Sequence, residues 1–184
     1  MKRVAIAAAV ALVTVGLATP AIGATGENCS FRLVPISQSG STTTATLELI
    51  GCYGTYEEAI EAGYGGTVDV ATDVSPSTFT QADIAVVAAA SDVLIGTEWD
   101  GASYSQSSNS YFASSTCSSS NTWQVNYVGD TWNDRFESGK GFGGCDTNKK
   151  FQHADFAGSV QTCTPNCATY GSLSNTISSL RWKP

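Results

Sequence analysis

The stretch that most limits what this chain can fold into is residues 151–182, FQHADFAGSVQTCTPNCATYGSLSNTISSLRW. An aromatic residue, a second aromatic and a glycine stand at Phe151, Phe156 and Gly158. Aromatics flanking a turn can fold over it and shield its backbone, and the glycine can take the positive φ that a tight hairpin needs. Further on, Ser174-Asn175-Thr176-Ile177-Ser178-Ser179 is a polar knot that runs into the apolar-basic strand Leu180-Arg181-Trp182. A weaker copy can be read upstream. Leu94, Trp99 and Gly101 repeat the hairpin spacing, and Asn133-Asp134-Arg135-Phe136-Glu137-Ser138 repeats the knot. The first copy carries extra length, mostly in the Ser-rich run 103–120.

From Val93 onward the chain is rich in Gly, Ser, Asn and aromatics, and helical patterning stops. Short strands are expected at 93–95, 111–113, 123–128, 145–151, 159–162 and 179–182. Many short strands at close spacing predict a sandwich or barrel.

The hairpin and knot together resemble the βγ-crystallin family, over roughly residues 91–184. The Greek-key motif of that family is an aromatic, four residues, an aromatic, one residue and Gly, with a later serine. Its calcium-binding members carry Asn/Asp-Asn/Asp-x-x-Ser/Thr-Ser. The resemblance implies a mainly β fold of two Greek-key motifs forming a βγ-crystallin-like sandwich, with two cation sites built from crossed loops. Its second, third and fifth knot positions imply the metal ligands Asp134, Arg135 and Glu137 in one loop and Asn175, Thr176 and Ser178 in the other. Calcium is the expected cofactor, because it takes about six to eight oxygen ligands. The alternative is that both loops satisfy only their own turns. Three positions depart from the motif: Leu94 replaces the first aromatic, Glu137 stands in a Ser/Thr position, and Ser174 stands in an Asn/Asp position.

The region before this domain, residues 24–90, reads as a small α/β-mixed segment of a hairpin plus helices. Strands at 30–36 and 45–50 flank a Gly/Ser/Thr-rich turn at 37–44. Thr55 and Glu58 form a capping box for a helix to about Ala62, with Gly63 as its left-handed C-cap. The Glu57, Glu58 and Glu61 carboxylates complement the helix dipole. A strand at 67–70 and a second helix from about Thr80 to Ala90 complete the segment.

Residues 1–23 read as a signal peptide. Lys2 and Arg3 precede an apolar run, and Ala21 and Gly23 suit the residues before a cleavage point at Ala24. The expected product is secreted and extracellular, with no membrane span after cleavage. Removing Lys2 and Arg3 takes the net charge from −7 to −9, which disfavours nucleic acid as a partner. Six cysteines in an exported chain argue for disulfides. The favoured pairing is Cys29–Cys52, Cys117–Cys145 and Cys163–Cys167, and the last two assignments could be exchanged.

Other motifs lead to plainer readings. Gly139-Lys140-Gly141-Phe142-Gly143-Gly144 satisfies G-x-G-x-x-G but lacks the following helix of a dinucleotide site, so it reads as a turn between Greek keys. His153 reads as a solvent-facing hairpin residue and Lys149-Lys150 as a solvated turn. Trp99, Trp123, Trp132 and Trp182 read as core rather than as a sugar-stacking platform. No acid–base pair marks an enzyme. The expectation is an exported non-enzymatic βγ-crystallin-like protein, calcium-binding and calcium-stabilised, with an extracellular protein or a glycan as its partner. The alternative is a secreted proteinase inhibitor or antimicrobial toxin-like interaction protein that presents the loop 162–170.

Overall fold

The computed structural model describes residues 27–72, 74–86 and 91–184. The expected signal peptide and its cleavage point lie outside them. Strands β1 (Asn28–Ser39) and β2 (Thr42–Tyr53) form an antiparallel hairpin. It reverses at Gly40-Ser41, not over 37–44, because the β-branched Thr42-Thr43-Thr44 run extends the pairing. Cys29 lies directly opposite Cys52 in this register, and the two are joined by a disulfide.

Helix α1 (Tyr56–Gly63) starts with the expected Thr55–Glu58 capping box. Gly63 is not its left-handed cap: the C-cap is Tyr64, and Gly65 and Gly66 take positive φ. Gly63 is small for packing, since a Cβ there would sit 2.0 Å from the Phe112 ring. The expected second helix is absent among the described residues. Gln81–Asp83 makes one 3-10 turn capped by Thr80 and Asp83, and residues 87–90 lie outside the described set. Strand β4 (Ile84–Val86) then pairs with β3 (Val68–Val70). Alternating β-branched residues fit a ribbon better than a helix here.

The remaining strands are β5 (Val93–Gly101), β6 (Ser105–Ala113), β7 (Thr122–Val125), β8 (Ser138–Gly141), β9 (Thr147–Phe151), β10 (Val160–Cys163) and β11 (Ser179–Lys183). Strand β8 corrects the reading of the glycine-rich run as a turn: its first half is strand. Gly139 packs there against Tyr170 and Glu98, with 2.1 Å and 2.4 Å left between a would-be Cβ and their oxygens.

Two Greek keys cross. In the first half β5 pairs with β6 and with β8; in the second β9 pairs with β10 and with β11. Strand β7, from the first half, joins the edge of β11. Reciprocally, Cys167 bridges to Gly139 of β8, with N–H···O distances of 2.9 and 3.0 Å. Each half thus lends its third strand to the other's sheet. The N-terminal hairpin then links the two sheets. Strand β1 runs parallel to β6, and β2 runs parallel to β7, giving one nine-stranded sheet wrapped around a core.

That core joins Cys29, Leu33 and Ala45 of the hairpin to Ile95, Tyr111, Trp123, Phe136, Tyr170, Ile177, Leu180 and Trp182. A second cluster holds α1 and the β3–β4 ribbon against Leu94, Trp99, Phe112 and Phe142. Lys140 fastens the connection between β3 and β4, donating to the carbonyls of Pro76, Ser77 and Phe79 at 2.7, 2.8 and 3.1 Å. All three favoured disulfides are present.

Candidate functional site

The two hairpins superpose by their hydrogen bonds. Glu137 N–H donates to Trp99 O at 2.8 Å, and Ser178 N–H donates to Phe151 O at 2.9 Å. Ser138 Oγ donates to Gly101 O at 2.6 Å and accepts from Tyr104 N–H at 3.0 Å. Ser179 Oγ does the same with His153 O at 2.7 Å and Phe156 N–H at 3.1 Å. The Trp99 and Tyr104 rings meet at 5.4 Å and 72°, those of Phe151 and Phe156 at 5.5 Å and 74°. The left-handed residues also match: Ser103, Tyr104 and Gln106 against Asp155, Phe156 and Gly158.

The upstream copy of the motif is therefore Trp99, Tyr104 and Gln106, not Leu94, Trp99 and Gly101. The later serine clasps the hairpin turn in both halves. In one dimension Gly101 is the residue that fits the motif's glycine. In the fold a glutamine occupies the left-handed position, at φ 66°.

The knots also match, and they cross. Asp134 N–H donates to Ile177 O at 3.1 Å, while Asn175 N–H donates to Phe136 O at 3.0 Å. Asp134 and Asn175 sit at φ 59° and 60°, a conformation that Asn and Asp tolerate better than other side chains. The crossing sorts the expected ligands in a way the linear order hides. Asp134 shares an open cleft with Asn175, Thr176 and Ser178, rimmed by Tyr127, Asn133 and the hairpin turn at His153. Within it Asn133 Nδ2 donates to the Asp134 carboxylate at 2.8 Å, and Ser178 Oγ donates to Gln152 O at 3.0 Å. Thr176 Oγ1 turns back on Leu173 O at 2.8 Å.

Arg135 and Glu137 do not line that cleft. Glu137 Oε1 accepts from Asn175 Nδ2 at 2.7 Å. The Arg135 guanidinium pairs with Asp100 at 2.5 Å, donates to Thr131 O at 3.1 Å and lies 4.4 Å from the Trp132 ring centroid. The position that mirrors the cleft thus holds a built-in cation, Arg135, paired with the Asp100 carboxylate. Among the described residues, the tight grouping of His, Cys, Asp and Glu side chains is Glu27 with Cys29 and Cys52, and those two sulfurs form a disulfide.

His153 is exposed, as expected. All four tryptophans are buried, in keeping with a core role. The loop 162–170 is partly sheet: its Pro165, Cys167 and Ala168 carbonyls accept from Gly141, Gly139 and Ser103. Lys149-Lys150 is not a solvated turn. It belongs to β9, and Lys150 is fully buried against Glu98. Tyr170 Oη donates to the other oxygen of the same carboxyl. Sequence reasoning missed this trio. The signal lay in the repeat, because Glu98 and Lys150 each precede the first aromatic of a hairpin, and only the corrected register makes them counterparts.

No protein-family profile matches the chain, and no curated protein matches it. A search of solved structures finds a βγ-crystallin from an archaeon, 20% identical, covering 49% of this chain and 98% of that one, with a TM-score of 0.35. The fold of residues 91–184 is βγ-crystallin-like. The strand order, the exchanged third strands and the two clasped hairpins carry that likeness.

Proposed function

We propose that this chain is an exported, non-enzymatic βγ-crystallin-like protein that takes up one calcium ion in the cleft between its crossed knots. The carrying observation is the crossing itself, which brings the Asp134 carboxylate to the same cleft as Asn175 and Ser178. Carboxylate, amide oxygen and hydroxyl are hard donors of the kind calcium prefers. When bound, the ion would tie the two knots together electrostatically. Asp134 would supply the charge, Ser178 and Asn175 neutral oxygens, and Thr176 a backbone carbonyl. The mirrored position has Arg135 against Asp100, which opposes a second cation there.

Export is supported by the leader-like residues 1–23 and by three disulfides. No helix among the described residues is long and apolar enough to cross a membrane. With one carboxylate, affinity should fall in the weak extracellular range, about 10⁻⁴–10⁻³ M.

Calorimetric titration with calcium should give one site per chain. Calcium at ten times Kd should stabilise the fold by about 1.4 kcal/mol relative to EGTA, a rise of a few degrees in melting temperature. Asp134→Ala should abolish both signals. Silent titration and an unchanged melting temperature at millimolar calcium would remove the reading.

A further inference from the structure

The centre of the sandwich holds an amine and a carboxyl group in direct contact. Glu98 projects from β5 and Lys150 from β9, and neither side chain has any exposure. Lys150 Nζ touches Glu98 Oε1, and Tyr170 Oη donates to Glu98 Oε2. The surroundings are aromatic: Nζ lies 5.6 Å from the Trp182 ring centroid and 6.0 Å from that of Tyr170. The carboxyl is seated against Gly139, where a Cβ would come within 2.4 Å of Oε2. Asn109 stands opposite Glu98 on β6, and its side-chain oxygen has no partner among the described residues.

We propose that Glu98 and Lys150 join in an intramolecular amide bond that covalently links the two Greek keys through the core. The chemistry needs no reagent from outside. A proton passes from Lys150 Nζ to Glu98 Oε1, leaving a neutral amine beside a neutral carboxylic acid. The amine lone pair attacks Cδ, and negative charge develops on Oε2, where Tyr170 Oη–H already points. A second proton moves from Nζ to Oε1, the Cδ–Oε1 bond breaks, and one water leaves. The product is a Cδ–Nζ amide whose carbonyl oxygen is Oε2.

Burial favours the reactive forms: it pushes the Glu98 carboxyl up and the Lys150 ammonium down from their ordinary ranges. A buried ion pair recovers little of its desolvation cost, whereas an uncharged amide suits an apolar core. Tyr170 acts here as an oxyanion donor, poised before the charge appears. The cross-link is independent of calcium, since the cleft at Asp134 and Ser178 is not part of it.

The decisive measurement is the intact mass of the folded chain after its disulfides have been reduced and alkylated, with its N-terminus determined. The wild type should be lighter than its sequence by one water, and fragmentation should find the peptide containing Glu98 joined to the one containing Lys150. Lys150→Arg keeps a cation but removes the nucleophile, and should have its full sequence mass. Tyr170→Phe should form the bond about 10²–10³-fold more slowly after refolding, the usual loss for one oxyanion donor. A folded wild type with three disulfides and its full sequence mass overturns the proposal. Bond formation at the wild-type rate in Tyr170→Phe overturns the role given to Tyr170.

Discussion

The two Greek keys have nearly the same backbone and opposed chemistry. Their clasped hairpins agree in hydrogen bonds, ring geometry and left-handed residues. At matched positions, however, one half has Glu98, Arg135, Glu137 and Gln106 where the other has Lys150, Thr176, Ser178 and Gly158. Backbone geometry is held by a few positions, chiefly the clasping serine and the aromatic pair. Side chains between those positions are free to diverge. Where the halves face each other, the divergence becomes complementary: an acid meets a base in the core, and a carboxylate meets a hydroxyl in the cleft.

The largest effect should come from the core. Glu98→Ala leaves the Lys150 amine buried with neither its acid nor the cross-link, and should cost at least about 3–5 kcal/mol in urea unfolding. Because the two residues are counterparts, Glu98→Lys combined with Lys150→Glu should recover most of that loss. Recovery should fall short by at least one hydrogen bond, and cross-linking should be slower, since Val128 occupies the place that mirrors Tyr170. No recovery in the double variant would break the claim that the halves are equivalent at this point.

Alkaline pH should be the next strongest perturbation. Burial raises Tyr56, Tyr111 and Tyr170 above the ordinary tyrosine range. A group whose folded pKa is raised stabilises the fold fully below its unfolded pKa, and that stability is lost as pH rises. Unfolding should therefore begin above about pH 10, with tyrosinate absorbance appearing together with loss of structure. Independent titration of all tyrosines in a folded chain would contradict the burial.

The hairpins offer a paired test of smaller size. Gly158→Ala forces a side chain to φ 77° and brings a Cβ within 2.7 Å of His153 Cδ2, so it should cost at least about 1–2 kcal/mol. Gln106→Gly, at the matching position, should stabilise by about 0.5–1 kcal/mol. Opposite signs at these two sites would confirm the register; equal signs would break it. The smallest expected signal is a second, weak calcium equivalent in Glu137→Ser combined with Arg135→Thr, read by calorimetric titration. That variant gives the mirrored position the cleft's Thr and Ser and frees the Asp100 carboxylate from Arg135.

Much of the architecture was legible because it depends on local rules. The capping box at Thr55 and Glu58, the strand runs after Val93 and the Phe151–Phe156–Gly158 turn are each specified within a few neighbouring residues. The misses came where local signals conflict with packing. Gly101 drew the upstream motif out of register because glycine is the commonest left-handed residue, whereas Gln106 is held there by its hairpin. Thr80 and Asp83 begin a turn that strand pairing with Val68 and Val70 then ends. Lys149-Lys150 looks polar in one dimension, yet strand alternation sends Lys150 inward.

By itself, then, the sequence determined that this chain builds clasped β-hairpins with polar knots, because turn and capping chemistry is local. Only the tertiary structure decided which residues of one knot face the other, that the N-terminal hairpin closes the sheet, and that Glu98 meets Lys150. Those outcomes depend on the exchange of third strands and the near-twofold relation of the halves. No short window of sequence contains such long-range contacts.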